Sequence, residues 1–439
     1  MSEILGFDSL LRTFHQVLDQ LPDHREGKNT TYEIKDAALG AFAVFFTQSP
    51  SFLAYQRTMK WNKGRSNAES LFGIEQIPCD NQIRTLLDPI APCHLSPMFT
   101  AIFEFLAKSG RLDSFRVLDA HLLVSLDGTR YFSSKKIHCP NCSHRTLPDD
   151  SILYFHDVIT PVIVRPRSAQ VISLEPEFMS PQDGSDKQDC ELTAAKRWIR
   201  RNRKLCSVIQ VTVLGDDLYS NQPFCELLLE QGFSFVLVCK PESHLTLYDW
   251  LDFLEGDIQQ VCIRRWNGQF AELWRYRYVS HVPLRDGKDA LFVNWCEVTI
   301  IRESDGEMLY RNSFVSNHTI DQTTFESIVA AGRARWKSEN ENNNVLKTKG
   351  YHLEHNYGHG QAYLSSFLLT LNLLAFLFHT VFELAAPKYQ RLREALSARR
   401  TFFNDIRALT RYLLFKSWDD LLDFMIKQLE LEPDPVDTS

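Results

Sequence analysis

The chain is predicted to be an α/β protein, and three observations carry the prediction. Residues 10–115 have helical periodicity. Between 118 and 216 three β-type runs, a helix and a fourth apolar run follow one another, and from 233 to 314 aromatic and β-branched residues alternate between turn signals. With 439 residues, the chain is long enough for a large core or for two to three domains. Its net charge of −7 excludes indiscriminate polyanion binding, so any nucleic-acid contact must come from local basic patches. Ten cysteines follow no regular disulfide spacing, and Met-Ser-Glu-Ile resembles no secretory leader, so reduced thiols in a cytoplasm are expected.

Taken in order, Leu10, Leu11, Phe14, Val17 and Leu18 form a first apolar stripe, and a second helix runs from Tyr32 to Phe46 behind the candidate caps Thr30 and Thr31. A basic segment with Arg57, Lys60, Lys63 and Arg65 follows. Residues 68–87 read as two short helices joined by a turn, with Asp80 capping the second. This is either a surface turn in a helical domain or a helix-turn-helix in which Gln82 and Arg84 face base edges.

Strands are expected at 122–126, at 152–158 with 162–164, and at 170–174, then a helix over 187–204 and a strand ending at Asp216. The helix carries six cations in nine residues, among them Lys196, Arg197, Arg200 and Arg201; such a cluster is usually a solvated face, but beside an acidic site it suits phosphate contact. The apolar runs Val124-Ser-Leu-Asp127-Gly-Thr129 and Val211-Thr-Val-Leu-Gly-Asp216 each end abruptly in an acid. Carboxyl ends of strands are where open α/β sheets do chemistry. From Ile328 to Lys347 only Gly332 interrupts a helix, and Arg335 and Glu339 lie one turn apart on it. Alone this would be a solvated face; with the two strand-end acids it becomes the third carboxylate of a candidate metal site.

These three stretches resemble the DDE transposases of bacterial insertion sequences, specifically insertion-sequence family 4. The resemblance rests on Asp127-Gly-Thr129, on Asp216 three residues before Tyr219, and on Arg335-x-x-x-Glu339 followed by Lys347. It covers most of the chain. It implies an RNase H-like core interrupted by a β-rich insertion, and Glu339 does follow Asp216 by 123 positions, with the strand-rich stretch 233–314 between them. It also implies two Mg²⁺ or Mn²⁺ ions held by Asp127, Asp216 and Glu339, with Arg335 and Lys347 in support. The partner would be double-stranded DNA, at element ends and target, bound by a homodimer in a bacterial, nucleoid-associated cytoplasmic setting. The reactions implied are nicking, hairpin formation and opening, and strand transfer. Two departures stand out. The family has a tyrosine where this chain has Gly332, and its lysine falls at Leu346, one residue before Lys347. An RNase H-like nuclease without strand transfer and a decayed DNA-binding derivative are the alternatives. Asp217 and Glu341 are the neighbours most easily confused with the ligands.

The expected divisions are a helical DNA-binding domain at 1–115, core at 116–232, insertion at 233–320, core with the acidic helix at 321–386, and helices at 387–439. In the insertion Trp266, Trp274 and Trp295 are candidates for stacking on a flipped base, as an aromatic residue does in related hairpin-forming transposases. Cys139-Pro-Asn-Cys142 is half a zinc site, whose other ligands are sought among His144, His156 and Cys190; the expected set is Cys139, Cys142, His156 and Cys190, and the alternative is a turn with two reduced thiols. Such zinc would be structural, because the candidate catalytic ligands are carboxylates. His352, His355 and His359 fit no metal template, and Gly358 and Gly360 make that stretch a loop. Residues 361–382 carry no Asp, Glu, Lys or Arg and could span a bilayer, but Ser365, Ser366, Thr370, Asn372 and His379 favour a buried core helix over a membrane segment.

Overall fold

The computed structural model describes residues 7–26, 31–59, 66–181, 189–205 and 209–431. It is a mixed α/β structure with a helical N-terminal region, central sheets and a helical C-terminal segment. The strands are β1 (Leu122–Ser125), β2 (Gly128–Ser134), β3 (Ser143–Thr146), β4 (Ile152–Ile159), β5 (Val162–Val164), β6 (Ile172–Ser173), β7 (Glu177–Met179), β8 (Val211–Gly215), β9 (Ser234–Val238), β10 (Gln259–Trp266), β11 (Ala271–Pro283), β12 (Phe292–Arg302) and β13 (Met308–Ser316).

The main sheet runs β10-β11-β12-β13-β9-β8-β1-β5-β6. Only β1 with β8 and β8 with β9 pair in parallel; the other pairs are antiparallel. The centre is parallel because β1 and β8 are continuous apolar runs, buried at every position, as strands covered on both faces must be. The crossover from β8 to β9 is the helix Gln222–Glu230, whose first turn is capped by the Asn221 side chain accepting from the Phe224 N–H. The long β10 to β13 meander extends this sheet beyond β9.

In the second sheet, β2, β3 and β4 are an excursion between β1 and β5, and β7, which follows β6, is added on the β4 side. This sheet corrects one sequence expectation: 152–164 is not one continuous unit. The chain bends at Thr160-Pro161 and delivers β4 to the small sheet and β5 to the large one.

The helix expected over 328–347 is also interrupted. Phe325–Arg333 is α-helical, Ala334–Trp336 is a 3₁₀ turn, Ser338–Asn343 is a π turn, and Asn344–Thr348 is α-helical again. The cause is polar competition for the helix ladder: the Ser338 hydroxyl (2.9 Å) and the Ser125 hydroxyl (3.2 Å) both donate to the Arg335 carbonyl. Asn342 and Asn343, adjacent in sequence, both turn inward to polar partners.

A helical layer covers the sheets. Leu364–Ala385, 22 residues with an 18-residue window of mean hydropathy 1.8, is long and apolar enough to cross a membrane, but 89% of that window is buried against the rest of the protein. It packs on Ile34–Phe46, and a cluster of rings seals the contact, with Phe42 5.0 Å from Phe378 and Phe46 5.1 Å from Trp418. The first and last helices share this core. Buried Asn67 donates to the carbonyls of Thr410 and Leu413, both at 2.7 Å, and accepts the Phe415 N–H at 3.0 Å. In the expected helix pair, Asp80 is the first residue of Asp80–Leu87, and Cys79 holds the cap position without a side-chain bond.

Candidate functional sites: an acidic strand-end cluster and a buried Cys2His2 cluster

Ser125 of β1 lies opposite Leu214 of β8, and the Leu126 N–H still reaches the Leu214 carbonyl at 2.9 Å. Two residues beyond that register, Asp127 and Asp216 leave the sheet side by side at its carboxyl edge. The segment carrying Glu339 is pinned over the same edge. Upstream, Ser125 holds the Arg335 carbonyl; downstream, Asn343 Nδ2 donates to Asp127 Oδ2 at 3.3 Å. Asn343 Oδ1 in turn accepts from Thr160 Oγ1 (2.8 Å) and Asn342 Nδ2 (3.0 Å), and the Thr160 N–H donates to the Asp127 carbonyl at 3.1 Å. Glu339 itself is exposed.

Burial pushes the Asp127 carboxyl up to about 6; Arg335 opposes the shift, and the charges of Glu191, Glu339 and Asp216 add to it. Glu191 is an acid that sequence reasoning missed. It begins the basic helix Glu191–Arg201, where an acid at a helix start is unremarkable, so its role shows only in three dimensions. Its Oε1 accepts from Tyr219 Oη at 2.6 Å and from the Gly128 N–H at 3.1 Å. A Cβ on Gly128 would lie 2.6 Å from Glu191 Oε2, and one on Gly215 would lie 2.7 Å from the Tyr219 ring. The glycines beside both acids are therefore required by the Tyr219–Glu191 brace. Asn342 and Asn343 were also missed, although a run of asparagines inside a helix, where Asn is a poor former, is a signal that could have found them.

Asp217 points elsewhere: it accepts the Lys240 N–H at 2.7 Å and a short bond from the Ser243 hydroxyl. Glu341 lines a separate cleft with Glu383, Arg393 and Arg399. Lys347 pairs with Glu354 at 2.9 Å. Gly332 has the Phe314 ring 2.6 Å from where a Cβ would stand, so no tyrosine fits there.

The basic residues divide. Arg197 is held by Glu177 (2.8 Å) and Asp189 (2.7 Å), and Arg201 by Glu177 (2.8 Å), so both brace β7 and its flanks; Arg200 is exposed and Lys196 half-buried. Arg84 donates to the Tyr357 carbonyl at 2.8 Å and lies over Phe52, whereas Gln82 is exposed. Among the tryptophans, Trp295 is buried in the core, Trp274 is covered by Arg265 (4.3 Å) and Arg333 (4.7 Å), and Trp266 is 68% exposed. A cleft lined by Arg167, Arg265, Trp274, Tyr276, Arg333 and Lys337 adjoins the segment leading to Glu339.

The second cluster is Cys139, Cys142, His156 and His359, all buried, with donor atoms within 4.8 Å of one another. Among the described residues this is the one such set, so the carboxylates of Asp127, Asp216 and Glu339 stand further apart as a group. The cluster can bind a zinc ion. It corrects the expected ligand set: Cys190 is exposed at the start of the basic helix, 3.2 Å from Thr193 Oγ1, and His359 takes its place. The loop 357–363 brings His359 in because the Asp88 carboxylate accepts the N–H groups of Gln361 (2.9 Å), Ala362 (3.0 Å) and Leu364 (3.1 Å), an approach only a glycine at 360 permits. His359 lies 203 residues from His156, beyond any spacing rule.

No protein-family model matches the chain, and no curated protein matches it significantly.

Proposed function

We propose that the protein is a DDE-type DNA transposase that cuts and joins DNA at the ends of an insertion sequence. One observation carries the reading: Asp127 and Asp216 follow the carboxyl ends of adjacent parallel strands, with the Glu339 turn fastened between Ser125 and Asp127. The topology supports it. Three strands in antiparallel pairs (β1, β5, β6), a helix, two further parallel strands (β8, β9) and a β insertion before the third acid follow the order that the family resemblance implies.

An all-oxygen donor set is of the kind that takes Mg²⁺ or Mn²⁺. The Asp127 carboxyl is raised first by burial, with the charges of Glu191, Glu339 and Asp216 adding and that of Arg335 opposing, and a bound cation would have to draw the three acids closer together. Bound Mg²⁺ or Mn²⁺ would supply Lewis-acid activation of a water or 3′-hydroxyl and stabilise the leaving oxygen of an in-line phosphoryl transfer. The chain's own contribution is positioning. Asn343 and Thr160 orient Asp127, Glu191 fixes the Asp127-Gly128 turn, and Arg335 offers its charge to the phosphate. The aromatic and cationic cleft around Trp274 and Arg333 supplies the stacking and charge that a nucleic-acid strand would need, which supports the reading.

Cleavage of element ends in Mg²⁺ by wild type, Asp127→Ala, Asp216→Ala and Glu339→Ala at equal DNA occupancy tests this. Wild type is expected to cut and to yield joined product, with each variant binding but inert. Cutting without joined product points to a nuclease. A wild type that binds and never cuts in Mg²⁺ or Mn²⁺ sinks the catalytic reading.

A further inference from the structure

We propose that a single zinc ion on Cys139, Cys142, His156 and His359 is a structural clamp, fastening the small sheet to the core helix and thereby holding the Asp127 turn. The four ligands come from three separate segments: the loop between β2 and β3, strand β4, and the loop before Leu364–Ala385.

Five of the six ligand-to-ligand edges match a closed tetrahedral site, and the sixth, from Cys139 to His359, is within 4.8 Å. Ligand distances of about 2.3 Å to sulfur and about 2.0–2.1 Å to nitrogen require tetrahedron edges of about 3.8 Å for S–S, about 3.5 Å for S–N and about 3.3 Å for N–N. Cys139 Sγ and Cys142 Sγ are 3.8 Å apart. His156 Nε2 lies 3.6 Å from Cys139 Sγ and 3.4 Å from Cys142 Sγ, and His359 Nε2 lies 3.4 Å from Cys142 Sγ. The two Nε2 atoms are 3.2 Å apart. The sulfurs are too far apart for a disulfide. His359 Nδ1 sits 2.9 Å from the Gly360 carbonyl, which can only accept, so Nδ1 carries the proton and Nε2 turns its lone pair inward, as a metal ligand must. A soft, carboxylate-free donor set selects zinc over magnesium.

Beside the cluster, buried Tyr131 hydrogen-bonds Ser365 across the same seam. Asn141 Nδ2 reaches the Ala362 carbonyl at 2.7 Å, and Phe132 lies 4.3 Å from the His359 ring. The clamp connects to the acidic site along β4. Four residues after His156 comes Thr160, whose N–H and hydroxyl hold the Asp127 carbonyl and Asn343; between them Ile159 pairs with Gly128. Loss of zinc removes the cross-link at His156, in the middle of a strand whose last residue leads into the catalytic turn.

The zinc is testable apart from the transposase reading, on which only its effect on cutting rests. Full-length protein made in zinc-replete medium is expected to carry one zinc per chain, with an X-ray absorption shell of two sulfurs and two nitrogens. Cys142→Ser and His359→Ala should lose it, and Cys190→Ser should keep it. Because ligand variants can misfold, chelator-treated wild type is titrated with zinc, and its melting temperature should rise to a plateau at one equivalent. Substoichiometric metal with no thermal response, or a shell needing Cys190, overturns the site. If zinc-free protein cuts DNA as fast as the zinc form, the clamp falls while the transposase stands. If zinc-loaded wild type never cuts but melts higher with zinc, the transposase falls and the site stands.

Discussion

The brace between Glu191 and Gly128 makes a prediction with a sign and a size. Glu191→Ala removes the acceptor of the fully buried Tyr219 hydroxyl (2.6 Å) and of the Gly128 N–H (3.1 Å). Stranding buried donors costs about 1–3 kcal/mol each, and release of a carboxyl whose own pKa is raised by burial returns part of that, so a net loss of about 2–3 kcal/mol is expected. Gly128→Ala places a Cβ 2.6 Å from Glu191 Oε2, which must move off its partners; overpacking of this kind costs about 1–3 kcal/mol. Gly128 is an extended strand residue that alanine can adopt, so in the Glu191→Ala background the same change should cost under about 1 kcal/mol. The double-mutant cycle in urea should therefore show coupling of about 1–2 kcal/mol. Additivity within about 0.5 kcal/mol would refute the packing argument. Glu191→Gln keeps an acceptor oxygen and should stay folded and cut DNA. If it folds but is inert, Glu191 acts through its charge and is a metal ligand instead of a positioning residue.

Three further outcomes are expected. Asn343→Ala should lower the cutting rate about 10- to 100-fold in a protein that still folds and binds DNA, as loss of an orienting partner does; an unchanged turnover number would show that Asp127 needs no such partner. Asn67→Ala leaves two carbonyls and one N–H without their side-chain partner and should destabilise the whole chain by about 2–5 kcal/mol in a single transition. A separate early transition of the N-terminal helices would mean that they do not share the C-terminal core. His318 is pulled down to about 4, first by burial and then by His121, while it shares the Thr212 hydroxyl with that residue. Its folded pKa lies below the unfolded value of 6.5, so the unfolded chain binds the extra proton and stability falls as pH drops from 6.5 towards 4, by at most about 3 kcal/mol. His318→Gln should flatten that part of the stability profile; an unaltered slope would assign it to other groups.

What was legible in the sequence was local. The strands ending at Asp127 and Asp216 announce themselves because a strand buried on both faces must be a continuous apolar run that stops at the sheet edge. The core helix after Gly360 is legible for the same reason, and the β10 to β13 meander by alternation. What was not legible depended on contacts far apart in sequence. The division of 152–164 between two sheets is decided by which strand each half pairs with. His359 becomes a candidate ligand only because Asp88 pins its loop, and Arg84, whose position suggested a base reader, donates to the carbonyl of Tyr357 instead.

The two departures from the resembled family's pattern have physical readings once the segment around Glu339 is seen not to be a regular helix. In an α-helix, moving a lysine from seven to eight residues after Glu339 turns it by about 100°. Here the π turn Ser338–Asn343 lies across that interval, and a π turn accommodates one extra residue in a wider ring. Eight residues then cover the rotation that seven would cover in an uninterrupted helix, and Lys347 returns to the face that the shorter spacing would place it on. The inserted residue is accommodated because the hydroxyls of Ser125 and Ser338 have taken over the Arg335 carbonyl and because Asn342 and Asn343 have partners waiting on the link between β4 and β5, on β6 and at the Asp127 turn. At Gly332 the missing tyrosine is answered by Phe314, whose ring fills the space over the glycine.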